Sequence, residues 1–244
     1  MKTSRINPFV NIKLLIVLLL ATVCCLVVAE LMQNKTNTNM YSFLAWDIFL
    51  AWVPIFFSIA ITFLYNSSWS LVNKLLVFIL GVGWLFFLPN AAYLFTEMIH
   101  SFRYFERQGE EIFWDDMPFW YSLTLAFVTA LIGLILSTYT IHQMSQLVSN
   151  VFNKYMAGLF IVITMFLSSI GVYIGRFNRW NSWDILDEPE LIIKEMVWDW
   201  YVRSSMLIKF VLLLFLVQLF CYLIIRTFSY NSKKEEGHGM SSSQ

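Results

Sequence analysis

Six apolar runs, each of roughly 20 residues, constrain this chain more than any other feature. They fall at residues 14–32, 42–65, 71–88, 117–141, 155–175 and 206–226. A bilayer's hydrocarbon core is about 30 Å thick, and about 20 helical residues cross it. No water reaches backbone N–H and C=O groups there, so only helices and closed barrels can span. Barrel strands alternate apolar and polar residues, whereas these runs are continuously apolar. The expectation is an all-α polytopic membrane protein with six spans in one domain over residues 1–228. Composition agrees: 59% of residues are hydrophobic and 13% charged, against about 25% charged in soluble domains. A formal net charge of +0 argues against a nucleic-acid partner.

Lys2, Arg5 and Lys13 precede the first run, and Val27-Val28-Ala29 follows as a weak small-residue cleavage site. The run is longer than the 7–15 apolar residues of a usual signal peptide, so it is expected to remain as a span. Cys24, Cys25 and Cys221 all lie within runs and read as small apolar packing residues. Their spacing offers neither a disulfide framework nor a metal site, and no cofactor is expected.

Six spans place both termini on one side of the membrane. Lys2, Arg5, Lys13, Lys74, Lys154, Arg226, Lys233 and Lys234 fall on that side, 8 of the 16 lysines and arginines. The tie is broken by the first helix, which three cations precede and only Lys35 follows, so both termini are read as cytoplasmic. The connections on that side fall near 66–74 and 142–154, which puts His142 there with His238 in the tail. Residues 229–244, rich in Ser, Lys and Glu, read as a disordered cytoplasmic tail. The acidic stretch 102–116, with Glu106, Glu110, Glu111, Asp115 and Asp116, reads as a solvated face on the opposite side.

That topology gathers the unusual polar residues at the outer edge. Asp47 lies about 9 Å inside the second run at 1.5 Å per residue. A carboxylate so placed needs a partner, and Arg176, Arg179 and His100 are the candidates. Pro89 is expected to kink or restart the third helix. If helix resumes, Asn90, Tyr93, Glu97 and His100 share one stripe. Glu97 and His100 form one half of the E-x-x-H pair that di-iron bundles use twice; no second half exists, so no metal is expected.

The fifth run ends in Gly175-Arg-Phe-Asn-Arg-Trp-Asn-Ser-Trp-Asp184. Gly171 and Gly175 permit close approach of a neighbouring helix. If the helix runs on, Arg176, Arg179 and Trp180 share a face, where arginine beside tryptophan suits cation-π stacking and a bidentate grip on carboxylate or phosphate. Trp180 and Trp183 also suit an aromatic belt at the interface. Asn181 with Asp184 reads as a cap, and Pro189 among acids starts a further helix over about 190–204, too charged to span and read as interfacial.

The segments WDIFLAWVP (46–54), FLPNAAYLFTE (87–97) and GRFNRWNSWD (175–184) resemble the three strongest blocks of a bacterial integral-membrane family known only as a domain of unknown function. The resemblance covers about 14–226. It departs at Asp47, more often asparagine in the family, and at Glu97, more often aspartate. The resemblance implies a bacterial plasma-membrane protein and supplies no activity.

Three functional readings follow. The first is a binder or transporter that holds an anionic lipid head group or envelope precursor at Asp47, Asn90, Tyr93, Glu97, His100, Arg176, Arg179, Trp180, Asn181, Trp183 and Asp184. The second is a scaffold for envelope-protein partners, and the third an intramembrane enzyme on a lipid-linked substrate with Glu97 or Asp47 as base and His100 as acid.

Overall fold

The computed structural model describes residues 7, 11–36, 41–67, 70–106 and 115–241, and all regular structure in them is helical. The helices are α1 (Ile12–Thr36), α2 (Leu44–Asn66), α3 (Leu71–Tyr93), α4 (Ile99–Glu106), α5 (Met117–Val151), α6 (Lys154–Tyr173), α7 (Asp184–Asp187), α8 (Pro189–Val202) and α9 (Ser204–Ser241). Six stretches among the described residues are long and apolar enough to cross a membrane: Ile12–Asn34, Leu44–Asn66, Leu71–Phe102, Met117–Val151, Lys154–Asn178 and Ser204–Thr227. Glu110 and Glu111 of the acidic stretch, with Lys2 and Arg5, lie outside the described residues.

The bundle is built around α5, which packs against α1, α2, α3, α6 and α9. Its 35 residues reach about 52 Å at 1.5 Å per residue, well beyond the hydrocarbon thickness. The connection expected at 142–154 is therefore only Phe152 and Asn153, and His142 lies within the bundle, its Nδ1 3.3 Å from Tyr222 Oη. Helix persists there because Gln143, Met144, Ser145 and Leu147 are all buried by neighbours, a tertiary gain that sequence patterning does not display. The connection is sharp because Asn153 Oδ1 caps α6, accepting from Met156 N at 2.8 Å.

Leu136, Ile141, Met165 and Leu88 are fully buried, while Leu71, Phe78 and Leu20 are 83%, 68% and 65% exposed. An apolar exterior of this extent is matched to hydrocarbon, not to water. Since lipid gives apolar side chains no reason to associate, polar side chains bridge the helices instead. Trp84 Nε1 donates to Thr140 Oγ1 at 2.7 Å, and Thr140 donates to the Pro54 carbonyl at 3.2 Å. Gln143 Nε2 donates to Thr62 Oγ1 at 3.1 Å, and Gln218 Nε2 to Ser169 Oγ at 2.9 Å. Such bonds contribute on average about 0.6 kcal/mol each in membranes.

Pro89 does not restart the helix. α3 runs through it to Tyr93, and the irregularity comes a turn later as a 3₁₀ segment, Leu94–Met98. The proline ring is accommodated because Gly171 of α6 faces it, and a Cβ at Gly171 would overlap Pro89 Cγ. The expected small-residue contact is thus real at Gly171, whereas at Gly175 a Cβ would lie 3.4 Å from the Tyr93 ring, ordinary contact. α9 stays helical to Ser241, past the end of its span, where composition predicts a disordered tail.

Candidate functional site

The end of α6 is where the local backbone departs most from an α-helix. Ile174–Asn178 forms a π-helical turn, and Arg179 follows at φ 61°, ψ 32°, the only non-glycine residue with positive φ among those described. A left-handed residue ends the helix and costs about 1–2 kcal/mol outside glycine. The helix therefore does not run on, and Arg176, Arg179 and Trp180 do not share one helical face.

The π turn has a second consequence. Residues five apart, separated by about 140° on an α-helix at 100° per residue, line up when the hydrogen bonds run i to i+5. Tyr173 and Asn178 both reach Asp199 of α8: Tyr173 Oη donates to Oδ2 at 3.2 Å and Asn178 Nδ2 at 3.0 Å. Trp180 Nε1 donates to Glu195 Oε2 at 2.6 Å, one turn away on the same face of α8. This clasp pins α8 to the end of α6, and Ile192 of α8 lines the cavity described below. Tyr173, Asn178, Glu195 and Asp199 escape sequence reasoning because their alignment depends on the π turn.

Arg176 points back to the stripe from α3. Its Nη1 stands 3.0 Å from Glu97 Oε1 and donates to Tyr93 Oη at 3.4 Å, while its guanidinium lies 5.9 Å from the Tyr93 ring centroid. The arginine thus stacks on tyrosine, not on Trp180 or Trp183 as the sequence suggests, because the π turn carries both tryptophans away. Glu97 is 3% exposed, and a lone carboxylate at that burial would cost several kcal/mol. His100 Nδ1 lies 2.8 Å from its Oε2. That contact is ionic in distance but off-angle for a hydrogen bond, so both atoms lack a conventional partner. Phe43 packs on the His100 ring at 4.7 Å between centroids.

Asp47, Asn90, Tyr93, His100, Arg176 and Arg179 line one cavity of about 650 Å³, with Trp180, Asn181 and Ser182 on its rim. Asn90 Nδ2 donates to Ser182 Oγ at 2.9 Å, tying α3 to the loop after α6. Below these polar groups the wall is Leu85, Phe86, Leu167, Ile170 and Ile174. Phe86 and Leu167 are 40% and 42% exposed, so the apolar wall of the cavity continues onto the exposed apolar surface of the bundle. It lies where α1, α3 and α6 end and α2 begins, at the end of the bundle opposite Ile12.

Asp47 is half-buried and makes no ion pair with Arg176, Arg179 or His100, the three partners expected from sequence. Glu97 has taken Arg176, because it approaches from the same side of α3 as Tyr93. Asp47 still lies within electrostatic reach of Glu97, His100 and Arg176. Arg179 is exposed and has neither an ion pair nor a hydrogen bond among the described residues. Trp183 and Asp184 stand apart from the cavity. Trp183 meets Trp46 edge-on at 6.2 Å, and Asp184 Oδ2 accepts from Asn181 N at 2.6 Å, capping the turn. Among the described residues no three His, Cys, Asp or Glu side chains gather to hold a metal.

Six helices able to cross a membrane, with a polar cavity cut into one end and opening along their flank, define a polytopic helical membrane protein. Residues 46–221 match the family described as protein of unknown function (DUF1361), and the chain belongs to that family. The matched segment includes every residue lining the cavity. No curated protein and no solved structure matches the chain.

Proposed function

We propose that this protein binds, and in a transport cycle passes, an amphiphile with an anionic head group, a phospholipid or envelope precursor, at the outer face of a bacterial plasma membrane. The observation that carries this reading is a single cavity that joins two arginines to an apolar wall open along the membrane-facing flank. A head group at Arg176 and Arg179 would leave an acyl chain along Phe86, Leu167 and Ile174 without crossing polar surface. Arg176 reaches Glu97 and Tyr93 through Nη1, and Nη2 and Nε have no partner among the described residues. Planar guanidinium donors of this kind suit phosphate.

Native mass spectrometry of the purified protein tests the reading. Wild type is expected to retain phospholipid, and Arg179→Ala to weaken retention roughly tenfold or more, since a charge-assisted hydrogen bond contributes about 1.5–3 kcal/mol. Thermal stability of that variant should not change, because Arg179 holds nothing else. A wild type that emerges free of lipid would sink the proposal.

The Glu97–His100 contact favours one second reading, an intramembrane enzyme in which His100, exposed to the cavity, relays a proton for a lipid-linked substrate. Turnover of retained lipid, lost in His100→Gln, would replace binding with catalysis. The outer placement also predicts topology. Cysteine placed at Ser232 should resist an impermeant thiol reagent in intact cells, while cysteine at Glu188 should react. The reverse pattern would move the cavity to the cytoplasmic leaflet.

A further inference from the structure

We infer that the head group this cavity takes is zwitterionic, a phosphate joined to a primary ammonium as in phosphatidylethanolamine, with Asp47 receiving the ammonium. The inference rests on the proposed lipid-binding reading and replaces its anionic head group with one that carries both charges. Its ground is a charge balance among the ionisable side chains that line or back the cavity.

Arg176 is already offset within the protein by Glu97 at 3.0 Å, and the same carboxylate faces His100 at 2.8 Å. Two ionisable groups make no ion pair among the described residues: Arg179, beyond the end of α6, and Asp47, in the first turn of α2 and within electrostatic reach of Glu97, His100 and Arg176. The Asp47 carboxyl makes no side-chain hydrogen bond among the described residues, so its oxygens stay available to accept N–H bonds from a ligand. These two residues come from different helices and line the same cavity. A purely anionic head group would satisfy Arg179 and leave Asp47 facing a like charge in a low-dielectric setting, which is costly. A ligand carrying both signs satisfies both residues.

The ammonium is primary because the cavity offers it a carboxylate rather than an aromatic cage. Quaternary ammonium, which has no N–H to donate, is held by ring faces. Of the rings that line this cavity, Tyr93 already carries the Arg176 guanidinium, Trp180 is tied at the rim to Glu195, and Phe86 belongs to the apolar wall away from Asp47 and Arg179. A carboxylate accepts N–H bonds, and a primary ammonium has three to give.

The full-length protein, offered an equimolar mixture of phosphatidylethanolamine, phosphatidylglycerol and phosphatidylcholine with identical chains, is examined by native mass spectrometry. Wild type is expected to retain phosphatidylethanolamine over both others by on the order of tenfold, the value of one charge-assisted bond. Asp47→Asn should lose that preference while still retaining phospholipid, and its unfolding temperature is checked beside wild type. Equal retention of all three lipids by wild type, or a preference that survives in Asp47→Asn, overturns the inference and leaves lipid binding standing. Absence of any retained phospholipid on wild type removes both together. Displacement of retained lipid by millimolar phosphoethanolamine supports recognition of the head group itself, whether from lipid or from a soluble ester. Preference without displacement supports the lipid as the source.

Discussion

Replacing Arg176 with alanine is expected to lower the free energy of unfolding by about 3–5 kcal/mol, because it leaves the Glu97 carboxylate buried without its cation. Glu97 is 3% exposed and its other oxygen meets His100 off-angle at 2.8 Å, a partner that offsets the charge only when protonated. The loss is mainly the cost of an orphaned charge, not the strength of the pair. Adding Glu97→Gln to Arg176→Ala should therefore recover much of the stability. Arg176→Lys should fall between, keeping a positive end but losing the planar contact with the Tyr93 ring. Thermal unfolding in one detergent checks the series. A double variant no more stable than Arg176→Ala alone would show that the pair does not act as a unit.

The second large effect is expected at a glycine. A Cβ on Gly133 of α5 would overlap the Ala91 carbonyl oxygen and lie 2.9 Å from Leu94 Cβ, where the end of α3 crosses α5. Backbone cannot swing aside as a flexible side chain can, so Gly133→Ala should cost about 3 kcal/mol, at the upper end of overpacking penalties. Gly171→Ala should also destabilise, because Pro89's ring is held in α3. Gly81 supplies the contrast: a Cβ there meets nothing within 4 Å, and Gly81→Ala should gain up to about 1 kcal/mol from helix propensity alone. Folded yield and unfolding temperature of the three variants read this directly. A Gly133→Ala protein as stable as Gly81→Ala would mean the crossing is looser than the described contacts.

How far the candidate site was legible depends on what each residue's placement required. Asn90, Tyr93, Glu97 and His100 stay together because a helical stripe of spacing 3, 4 and 3 survives a 3₁₀ turn with its side chains still on one side. Asp47 and Arg176 reach the same cavity because alternating spans bring the start of α2 and the end of α6 to one end of the bundle. Which carboxylate Arg176 would take was not legible. Asp47 lies inside the second apolar run and Glu97 beyond the end of the third, and only the packing of α3 against α6 selects between them.

Six spans, their order and the clustering of polar residues at one end of the bundle follow from the chain alone. Each depends on a local quantity, the length of an apolar run against a bilayer of about 30 Å. Pro189 also announces its helix start locally, by a fixed φ. Only the tertiary structure decides the rest: that α5 continues helical through His142, that Pro89 passes without a break opposite Gly171, and that a π turn aligns Tyr173 with Asn178 and frees Arg179. The physical reason is common to all three. The energies that favour one local conformation over another are about 1–3 kcal/mol, so a single close helix crossing or a shared buried carboxylate can overrule them.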